Sequence, residues 1–169
     1  MQFFIIIFAS VIFFVLFLVT IVTVFFGAPI VFTDSKSLTK MIEIAGNVIG
    51  KKMVDLGSGD GRVVIEFAKR GIEVHGYEIN PFLVAISKLK IKKAGLEKKA
   101  FIFWKNFWSA NLSSYDIVSV FGINYIMPKL RDKLVHELKK NSIVISNSYK
   151  FPGWKKMRTK NGVYLYRMR

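Results

Sequence analysis

Hydrophobic and polar positions divide the chain into one long apolar stretch and a region where strand-like and helix-like patterns alternate. Residues 3–26 carry no charged side chain. As a helix they would extend about 36 Å at ~1.5 Å per residue, which exceeds the ~30 Å hydrocarbon core of a bilayer. The stretch therefore predicts a single transmembrane helix. Gly27-Ala28-Pro29 interrupts it, and we place a boundary there between a transmembrane anchor (1–28) and a second domain (29–169).

A cleavable signal peptide is the first alternative interpretation of the apolar stretch. Such a peptide has a positively charged start, a shorter apolar core and a small-x-small cleavage site. This chain begins with Met1-Gln2, its apolar core is longer, and no Ala-x-Ala follows. These features favour an uncleaved anchor. A buried hydrophobic hairpin is the second alternative.

Beyond residue 33 the pattern predicts helices and strands in alternation. Apolar residues recur at helical spacing over about three turns, at Leu38, Met41, Ile42, Ala45, Val48 and Ile49, and Thr33-Asp34-Ser35 can cap this helix. Strand patterns follow at 52–56, 73–78, 100–105, 117–121, 142–147 and 163–168, with a shorter one at 154–157. Helical patterns lie between them at 61–70, from Asn80-Pro81 to just before Gly95, and at 128–140. This order predicts an α/β fold, with a Rossmann-like, doubly wound and mostly parallel sheet covered on both faces.

The most informative local motif is Asp55-Leu56-Gly57-Ser58-Gly59-Asp60-Gly61, which follows the first predicted strand and precedes a helix. Glycines at alternate positions let a ligand approach the N–H groups at a helix N-terminus. The dinucleotide-binding fingerprint would place its third Gly at position 62, where the chain has Arg62. The spacing instead resembles the first motif of class I methyltransferases, which bind S-adenosylmethionine. Another kind of nucleotide binder, or a purely structural glycine turn, is the alternative.

Three loops at the carboxyl ends of the strands are expected to form the cofactor pocket, because ligands of such sheets bind there. The first loop contains Asp55, Gly57, Ser58, Gly59 and Gly61. The second contains Glu78, whose carboxylate can accept hydrogen bonds from both ribose hydroxyls, and Asn80, expected mainly as a helix cap. The third contains Asn106 as acceptor for the adenine amino group, with Phe107 or Trp108 stacking on the purine. A solvated acid, a turn asparagine and core aromatics are the structural alternatives.

The end of the fourth strand reads Phe121-Gly122-Ile123-Asn124-Tyr125, and substrate chemistry is expected there. We expect Phe121 to form the floor of the pocket, unless it packs in the core. Gly122 is expected to leave room for the transferred methyl group, and Asn124 or Tyr125 to orient the acceptor. Enzymes that methylate amino groups of nucleic-acid bases usually carry Asn/Asp-Pro-Pro-aromatic at this point. The chain lacks that motif, which argues against base methylation.

Charge is confined to the region after the apolar stretch. The 26 Lys and Arg outnumber the 11 Asp and Glu, giving a net charge of +15, and no acidic residue follows Leu138. Such a surface attracts anions, either nucleic acid or acidic lipid headgroups. The predicted anchor makes an anionic membrane surface the expected partner and nucleic acid an unlikely one; a proteome that is basic throughout is the other explanation.

Lysines follow the apolar stretch and none precedes it, so the positive-inside rule predicts a single-pass protein with its second domain on the cytoplasmic or equivalent organellar side. The chain has no cysteine, which excludes disulfides, cysteine-ligated zinc and thiol catalysis. His75 and His136 have no partners at metal-ligand spacing. We therefore expect no metal site.

Several segments together resemble a narrower family. VDLGSGDGRVVIEFAKRG, GYEINPFLV, the FW after the third strand, SSYDIVSVFG, IMPKLRDKL and FPGW occur in this order. They are similar to segments of the membrane-anchored protein-lysine methyltransferases of the mitochondrial adenine nucleotide translocator and the ATP synthase c-ring protein, and of their prokaryotic relatives. The resemblance covers about residues 29–154, including the pre-helix loop Pro29–Thr33. Asn106 stands where the family usually has Asp, and Phe32 where its loop is expected to have Pro.

The resemblance implies methyl transfer from S-adenosylmethionine to the neutral ε-amine of a lysine. Positioning and desolvation would contribute most, without a dedicated general base. It also implies that the loop around Thr33 closes over the cofactor. Together with the anchor, it makes an integral membrane protein the expected substrate. Three other functions stay open: a methyltransferase for a lipid or another membrane-dissolved small molecule, an RNA methyltransferase, and a non-catalytic nucleotide-binding protein.

Overall fold

The computed structural model describes residues 2–26 and 31–169, which fall into two compact units, Met1–Ile30 and Val31–Arg169. The first unit contains helix α1, Gln2–Phe26. Its stretch Gln2–Ile21 has a mean hydropathy of 3.2, and none of it is buried. The predicted apolar helix is confirmed, and it is long and apolar enough to cross a membrane. The predicted break at 27–29 and the boundary after residue 28 lie outside the described residues.

The second unit alternates strands and helices. Its helices are α2 (Ser35–Ala45), α3 (Arg62–Ala68), α4 (Pro81–Lys93) and α5 (Met127–Glu137). Its strands are β1 (Lys52–Leu56), β2 (Glu73–Glu78), β3 (Ala100–Trp104), β4 (Ile117–Val120), β5 (Ile143–Asn147), β6 (Arg158–Lys160) and β7 (Val163–Arg167), and Phe107–Ser109 forms a single 3₁₀ turn.

The seven strands form one sheet in the order β3-β2-β1-β4-β5-β7-β6. Strands β1 to β5 pair in parallel, and β7 runs antiparallel between β5 and β6. The predicted Rossmann-like, mostly parallel sheet is therefore confirmed. Its register places Asp55 on β1 between Gly76 on β2 and Ser119 on β4. We call the side of the sheet where β1 to β5 end the carboxyl edge, and the opposite side the amino edge.

Local sequence explains where the helices begin. The Asp34 side chain caps α2 by accepting a hydrogen bond from the N–H of Ser37 at 2.9 Å. Asn80 caps α4 in the same way, with Oδ1 accepting from the N–H groups of Phe82 and Leu83. Pro81 then fills the first position of α4, where its lack of an N–H costs nothing. Both helices thus start where the sequence predicts.

Apolar side chains cover the two faces of the sheet unequally. Helices α2, α3 and α4 cover one face and bury residues such as Met41 and Phe67. On the other face α5 is the one α-helix among the described residues, contributing Leu130 and Leu134. The loop between β5 and β6 completes this face, where the rings of Trp154 and Tyr166 lie 5.1 Å apart. Fully burying each such side chain stabilises the fold by about 1.5–3 kcal/mol.

One bound near the start of the domain is corrected. Helix α2 ends at Ala45, because Gly46 leaves the helical conformation with a positive φ of +69°, which glycine adopts readily. Val48 is nevertheless buried, whereas Ile49 lies outside the helix and is exposed. The helical spacing of these last two residues was therefore misleading.

Smaller corrections concern element ends. Helix α3 ends at Ala68 and α5 at Glu137, each two or three residues before the predicted end, and β3 and β4 each end one residue early. The short strand predicted at 154–157 lies at Arg158–Lys160 instead. All three of its residues are exposed, so no apolar alternation marks it in the sequence.

Candidate functional site

The predicted glycine loop lies at the carboxyl edge between β1 and α3. Gly57 has φ +78°, a left-handed conformation that glycine adopts without the cost other residues incur. The N–H groups of Gly57 and Ser58 donate to the Tyr77 carbonyl at 2.9 and 3.0 Å, so the loop rests on the end of β2. A Cβ added at Gly57 would meet nothing within 4 Å. The loop therefore leaves open space beside its backbone.

Two other glycines allow close packing around this loop. At Gly61, with φ +79°, an added Cβ would lie 3.0 Å from the Cβ of Ser87, whose hydroxyl donates to the Gly59 carbonyl at 2.8 Å. Helix α4 thus packs directly on the loop. At Gly76 an added Cβ would lie 2.6 Å from Ser58 Oγ. The Ser58 side chain therefore points toward β2, and its buried hydroxyl has no hydrogen-bond partner among the described residues.

Glu78, the last residue of β2, is buried, and its carboxylate accepts three hydrogen bonds from nearby backbone N–H groups. Its Oε1 accepts from the N–H groups of Ile79 and Asn80, and its Oε2 from that of Gly59, all at 2.8 Å. A carboxylate offers about four lone-pair directions, so these bonds leave one direction on Oε2. Glu78 thus fastens the glycine loop to β2 and keeps one acceptor for a ligand hydroxyl. The sequence predicted acceptance from both ribose hydroxyls, whereas one acceptor direction is left, and the fastening of the loop was not predicted.

Asp55 is buried next to this acid. The Ser119 hydroxyl donates to its Oδ1 at 2.5 Å. The pKa of Asp55 is raised to about 7, mainly because the carboxyl is buried; the Ser119 hydrogen bond lowers it and the negative charge of Glu78 raises it, both by less. The site therefore contains a carboxyl that titrates near neutral pH.

Asp60 forms an ion network that sequence reasoning missed. Its carboxylate accepts from Arg62 Nε and Nη2, both at 2.9 Å, and from Lys90 Nζ at 2.5 Å. Burial alone would raise the pKa of Asp60, but the hydrogen bonds and charges of these two cations outweigh it and lower the pKa to about 2. Arg62 also donates from Nη1 to the Thr33 carbonyl at 2.9 Å. The network therefore connects the glycine loop to α4 and to the segment before α2.

Residues 31–33 lie against the glycine loop. The Arg62 guanidinium carbon is 4.7 Å from the centre of the Phe32 ring. That ring would lie 3.5 Å from a Cβ at Gly59. Thr33 is buried, with its hydroxyl 3.5 Å from Asn147 Nδ2 at the end of β5. Residues 31–33 of the predicted pre-helix loop thus pack on the glycine loop, and their closure over a cofactor stays a prediction. Pro29 and Ile30 lie outside the described residues.

Three predicted cofactor contacts have structural roles. Asn80 caps α4, as expected. Asn106 is exposed, and its Oδ1 accepts from the Trp108 N–H at 3.0 Å, which caps the 3₁₀ turn. Phe107 is half-buried, with its ring centre 4.9 Å from that of Trp108. Cofactor contacts at these three residues stay predictions.

The predicted substrate residues at the end of β4 divide into two groups. Phe121 is half-buried and faces the same cavity as Gly57 and Gly59, as expected for a pocket floor. Asn124 and Tyr125 are exposed in the turn before α5. The expectation for Gly122 is corrected, because a Cβ there would lie 2.6 Å from Met127 Sδ. The missing side chain makes room for Met127.

One cavity at the carboxyl edge brings several predicted residues together: Thr33, Asp55, Gly57, Ser58, Gly59 and Phe121. The described lining does not include the other predicted residues, which are Gly61, Glu78, Asn80, Asn106, Phe107, Asn124 and Tyr125. Phe32 and Phe121 give it aromatic walls, and Asp55, Asp60 and Arg62 give it polar groups, of which Asp60 and Arg62 are paired with each other. Open glycine backbone, these aromatic walls and an available acceptor on the nearby Glu78 fit a nucleoside such as S-adenosylmethionine.

The sheet order, the glycine loop after β1 and the acid at the end of β2 define the class I methyltransferase fold. A solved structure agrees with this class. An RNA methyltransferase from Salinibacter ruber in complex with S-adenosyl-L-homocysteine is 29% identical, with a TM-score of 0.76 over 82% of this chain and 92% of that one. Several further methyltransferase structures share the fold at under 25% identity.

The chain belongs to the family described as the ANTKMT methyltransferase domain, whose pattern matches residues 55–158. The lysine N-methyltransferase of the ATP synthase c-ring protein from Xenopus laevis is 36% identical over 75% of this chain. The chain spans 54% of that relative, about half the length of the first curated relatives it matches. A protein-lysine N-methyltransferase of Saccharolobus islandicus is 33% identical over 75% of this chain and 80% of its own length. The family predicted from the sequence is confirmed.

Proposed function

We propose that this chain is an S-adenosylmethionine-dependent protein-lysine N-methyltransferase that acts on an integral membrane protein. The observation that carries the proposal is the likeness to the Saccharolobus lysine methyltransferase, which extends over most of both chains. The Xenopus relative is named for methylating a lysine of the ATP synthase c-ring protein. The cavity at the carboxyl edge supplies the matching cofactor site.

S-adenosylmethionine supplies an electrophilic methyl group on a sulfonium when it is bound. In this proposal the Glu78 carboxylate accepts a hydrogen bond from a ribose hydroxyl, and the glycine loop carries the amino-acid part beside Asp55. Residues 31–33 close the cavity and exclude water. Asn106 accepts from the adenine amino group with the second lone pair of its Oδ1, since the cap uses one.

The acceptor amine must reach the cavity in its neutral form. Phe121 provides an apolar wall at the point of approach, and desolvation there favours the uncharged amine. The net charge of +15 acts in the same direction, because surrounding positive charge lowers the pKa of a lysine. Asn124 and Tyr125 lie exposed beside Phe121, where they can orient the substrate chain. The chain thus contributes positioning and desolvation, and no step requires a general base.

Helix α1 places this chemistry at a membrane in our proposal. It is apolar along Gln2–Ile21, and lysines follow it while none precedes it. The second unit then lies on the cytoplasmic or equivalent organellar side, where its basic surface meets acidic lipids. Single cysteines at Gln2 and Lys160 test this, since the native chain has none. They should label from opposite sides of sealed vesicles, and equal labelling from outside would contradict the topology.

The function is tested by incubating the full chain in vesicles with methyl-labelled S-adenosylmethionine and membrane extract. We expect label in protein, recovered as methyl-lysine. Gly57→Arg is the matched inactive variant, because its side chain points into open space and fills the cofactor turn. Label in lipid would support the small-molecule alternative instead. Cofactor binding without any transfer would support a non-catalytic role.

An RNA methyltransferase is the second candidate. The Salinibacter structure is described as an RNA methyltransferase, and the net charge of +15 suits a phosphate backbone. The end of β4 lacks the Asn/Asp-Pro-Pro-aromatic motif of base amino methylation. Ribonuclease treatment decides between the candidates: label that is lost with the RNA favours this second one, and label that survives favours lysine.

A further inference from the structure

Large apolar side chains are exposed on the carboxyl edge at four successive strand ends. Val31 and Phe32, beside the loop after β1, are 56% and 42% exposed. Phe82, in the first turn of α4 after β2, is 49% exposed; Trp104, which ends β3, is 68%; and Tyr125, after β4, is 72%. We call these five residues the apolar rim. Val31 and Phe32 line the cavity of the candidate site, and the other three lie at neighbouring strand ends of the same edge.

The amino edge differs. Among the described residues, the large apolar side chains exposed toward it are Ile49, just before β1, and Met157, just before β6. Three strands of the sheet separate β1 from β6, so these two residues form no group. Other exposed apolar residues of the second unit lie on the outer faces of helices, as Leu89 does on α4 and Val135 on α5. Scattered exposed hydrophobes are normal on a protein surface, whereas a contiguous group marks an interaction site. The rim is such a group.

Two rim residues are held in place by the domain itself. The Trp104 Nε1–H donates to the Ile79 carbonyl at 2.9 Å, which fixes the indole at the start of the α4 loop while most of its surface stays in solvent. Phe32 lies under the Arg62 guanidinium, which Asp60 holds by accepting hydrogen bonds from both Nε and Nη2. A rigid aromatic rim loses little conformational entropy on binding.

Cations accompany the rim. Lys105 and Lys150 are exposed in loops of the carboxyl edge, and Lys129 is exposed in the first turn of α5. None is ion-paired to an acid within the described parts of the chain. Lysines are attracted to an anionic lipid surface. The amino edge also carries lysines, such as Lys98 and Lys139. Charge alone therefore does not show which edge faces the lipid, whereas the exposed aromatic side chains point to the carboxyl edge.

We infer that the carboxyl edge is a lipid-docking surface, with the apolar rim in the headgroup region of an anionic bilayer. The inference rests on the membrane placement proposed above but not on lysine as the methyl acceptor. Tryptophan and tyrosine favour this interface because their rings are apolar at one end and polar at the other. The opening of the site therefore lies at the lipid surface, and its substrate presents the acceptor group there.

The test uses full-length single-cysteine variants carrying an environment-sensitive fluorophore, reconstituted in phosphatidylcholine vesicles with or without phosphatidylserine. The rim variants are Phe82→Cys and Tyr125→Cys. The matched controls are Ile49→Cys and Val135→Cys, which are also exposed apolar positions. Nitroxide-labelled lipid quenches fluorophores that reach the headgroup region. No cofactor is added, so failure of methyl transfer leaves this measurement unaffected.

We expect quenching at both rim positions to be severalfold stronger than at both controls, and to weaken when phosphatidylserine is omitted. Equal quenching at all four positions would overturn the inference, as would none at the rim. Rim labels shielded from a water-soluble quencher but not quenched by lipid would show that a protein covers this edge, which also overturns it. Because two rim positions are used, misfolding of one variant does not hide the result.

Discussion

Replacing Glu78 tests its two roles, which are to fasten the glycine loop to β2 and to accept a hydrogen bond from the ligand. The carboxylate accepts three backbone hydrogen bonds at 2.8 Å and keeps one acceptor direction for the ligand. In Glu78→Gln the amide oxygen can still accept from Ile79 and Asn80. The amide nitrogen, however, is a donor and faces the N–H of Gly59, so both the loop bond and the ligand bond are lost. Glu78→Ala loses all of them.

The expected magnitudes follow from these bonds. A hydrogen bond to a charged group contributes about 1.5–3 kcal/mol, so Glu78→Gln should raise the dissociation constant of S-adenosylmethionine roughly 10- to 150-fold. An unsatisfied buried donor costs about 1–3 kcal/mol. We therefore expect the free energy of unfolding to fall by about 1–2 kcal/mol in Glu78→Gln, and further in Glu78→Ala, which leaves more N–H groups unpaired.

Isothermal titration with S-adenosylmethionine and its demethylated product measures the affinity, and urea unfolding measures the stability. NAD and ATP should give no binding. Glu97→Gln is the control, because Glu97 is an exposed acid in the turn before β3 and its loss changes net charge equally. An unchanged dissociation constant in Glu78→Gln, or tight binding of NAD, would refute the reasoning.

Three further predictions concern the surroundings of this acid. The pKa of Asp55 is about 7 in the folded state, above its ordinary value of 3.8, so the folded state binds the extra proton between these pH values and the free energy of unfolding falls as pH rises from about 4 to 7. Asp55→Asn should flatten this pH dependence in urea unfolding, and an unchanged slope would contradict the prediction. Gly61→Ala should lower the free energy of unfolding by about 1–2 kcal/mol more than Gly71→Ala. Both glycines have positive φ, but only at Gly61 would a new Cβ contact a neighbour, Ser87. Equal losses in thermal unfolding would show that Ser87 moves aside and would contradict the prediction. Phe32→Ala should weaken cofactor binding about fivefold, because it removes the ring over the glycine loop and a cation–π contact of about 0.5–1 kcal/mol. Phe82→Ala, measured in detergent, should leave the dissociation constant unchanged. Isothermal titration calorimetry measures both constants, and equal values would contradict the prediction.

The sequence predicts the sheet well because the signals are local. Most of the parallel strands are short, largely apolar runs, such as β3 and β4. Asn80-Pro81 shows how one dipeptide marks a helix start. Helix α2 shows the limit of this logic. Val48 continues the apolar spacing because it is buried, yet Gly46 has already ended the helix. Burial and helical periodicity coincide only while the backbone stays helical.

The site is predicted less completely because several contacts join distant residues. Lys90 meets Asp60 across 30 positions only because α4 packs on the glycine loop. Phe32 covers Gly59 although the family pattern led us to expect proline there. Gly122 looked like room for a methyl group, but the space is taken by Met127, whose position depends on how α5 begins. Such roles follow from tertiary packing, which motif spacing does not encode.

Mass spectrometry of membrane proteins from cells that lack the gene tests the central claim most directly. In these cells we expect methyl-lysine to be lost from one or very few integral membrane proteins, at a residue near the bilayer surface. The intact gene should restore it and the Gly57→Arg gene should not, because that side chain fills the cofactor turn. Unchanged lysine methylation, with a methyl group lost instead from a lipid or an RNA nucleoside, would contradict it.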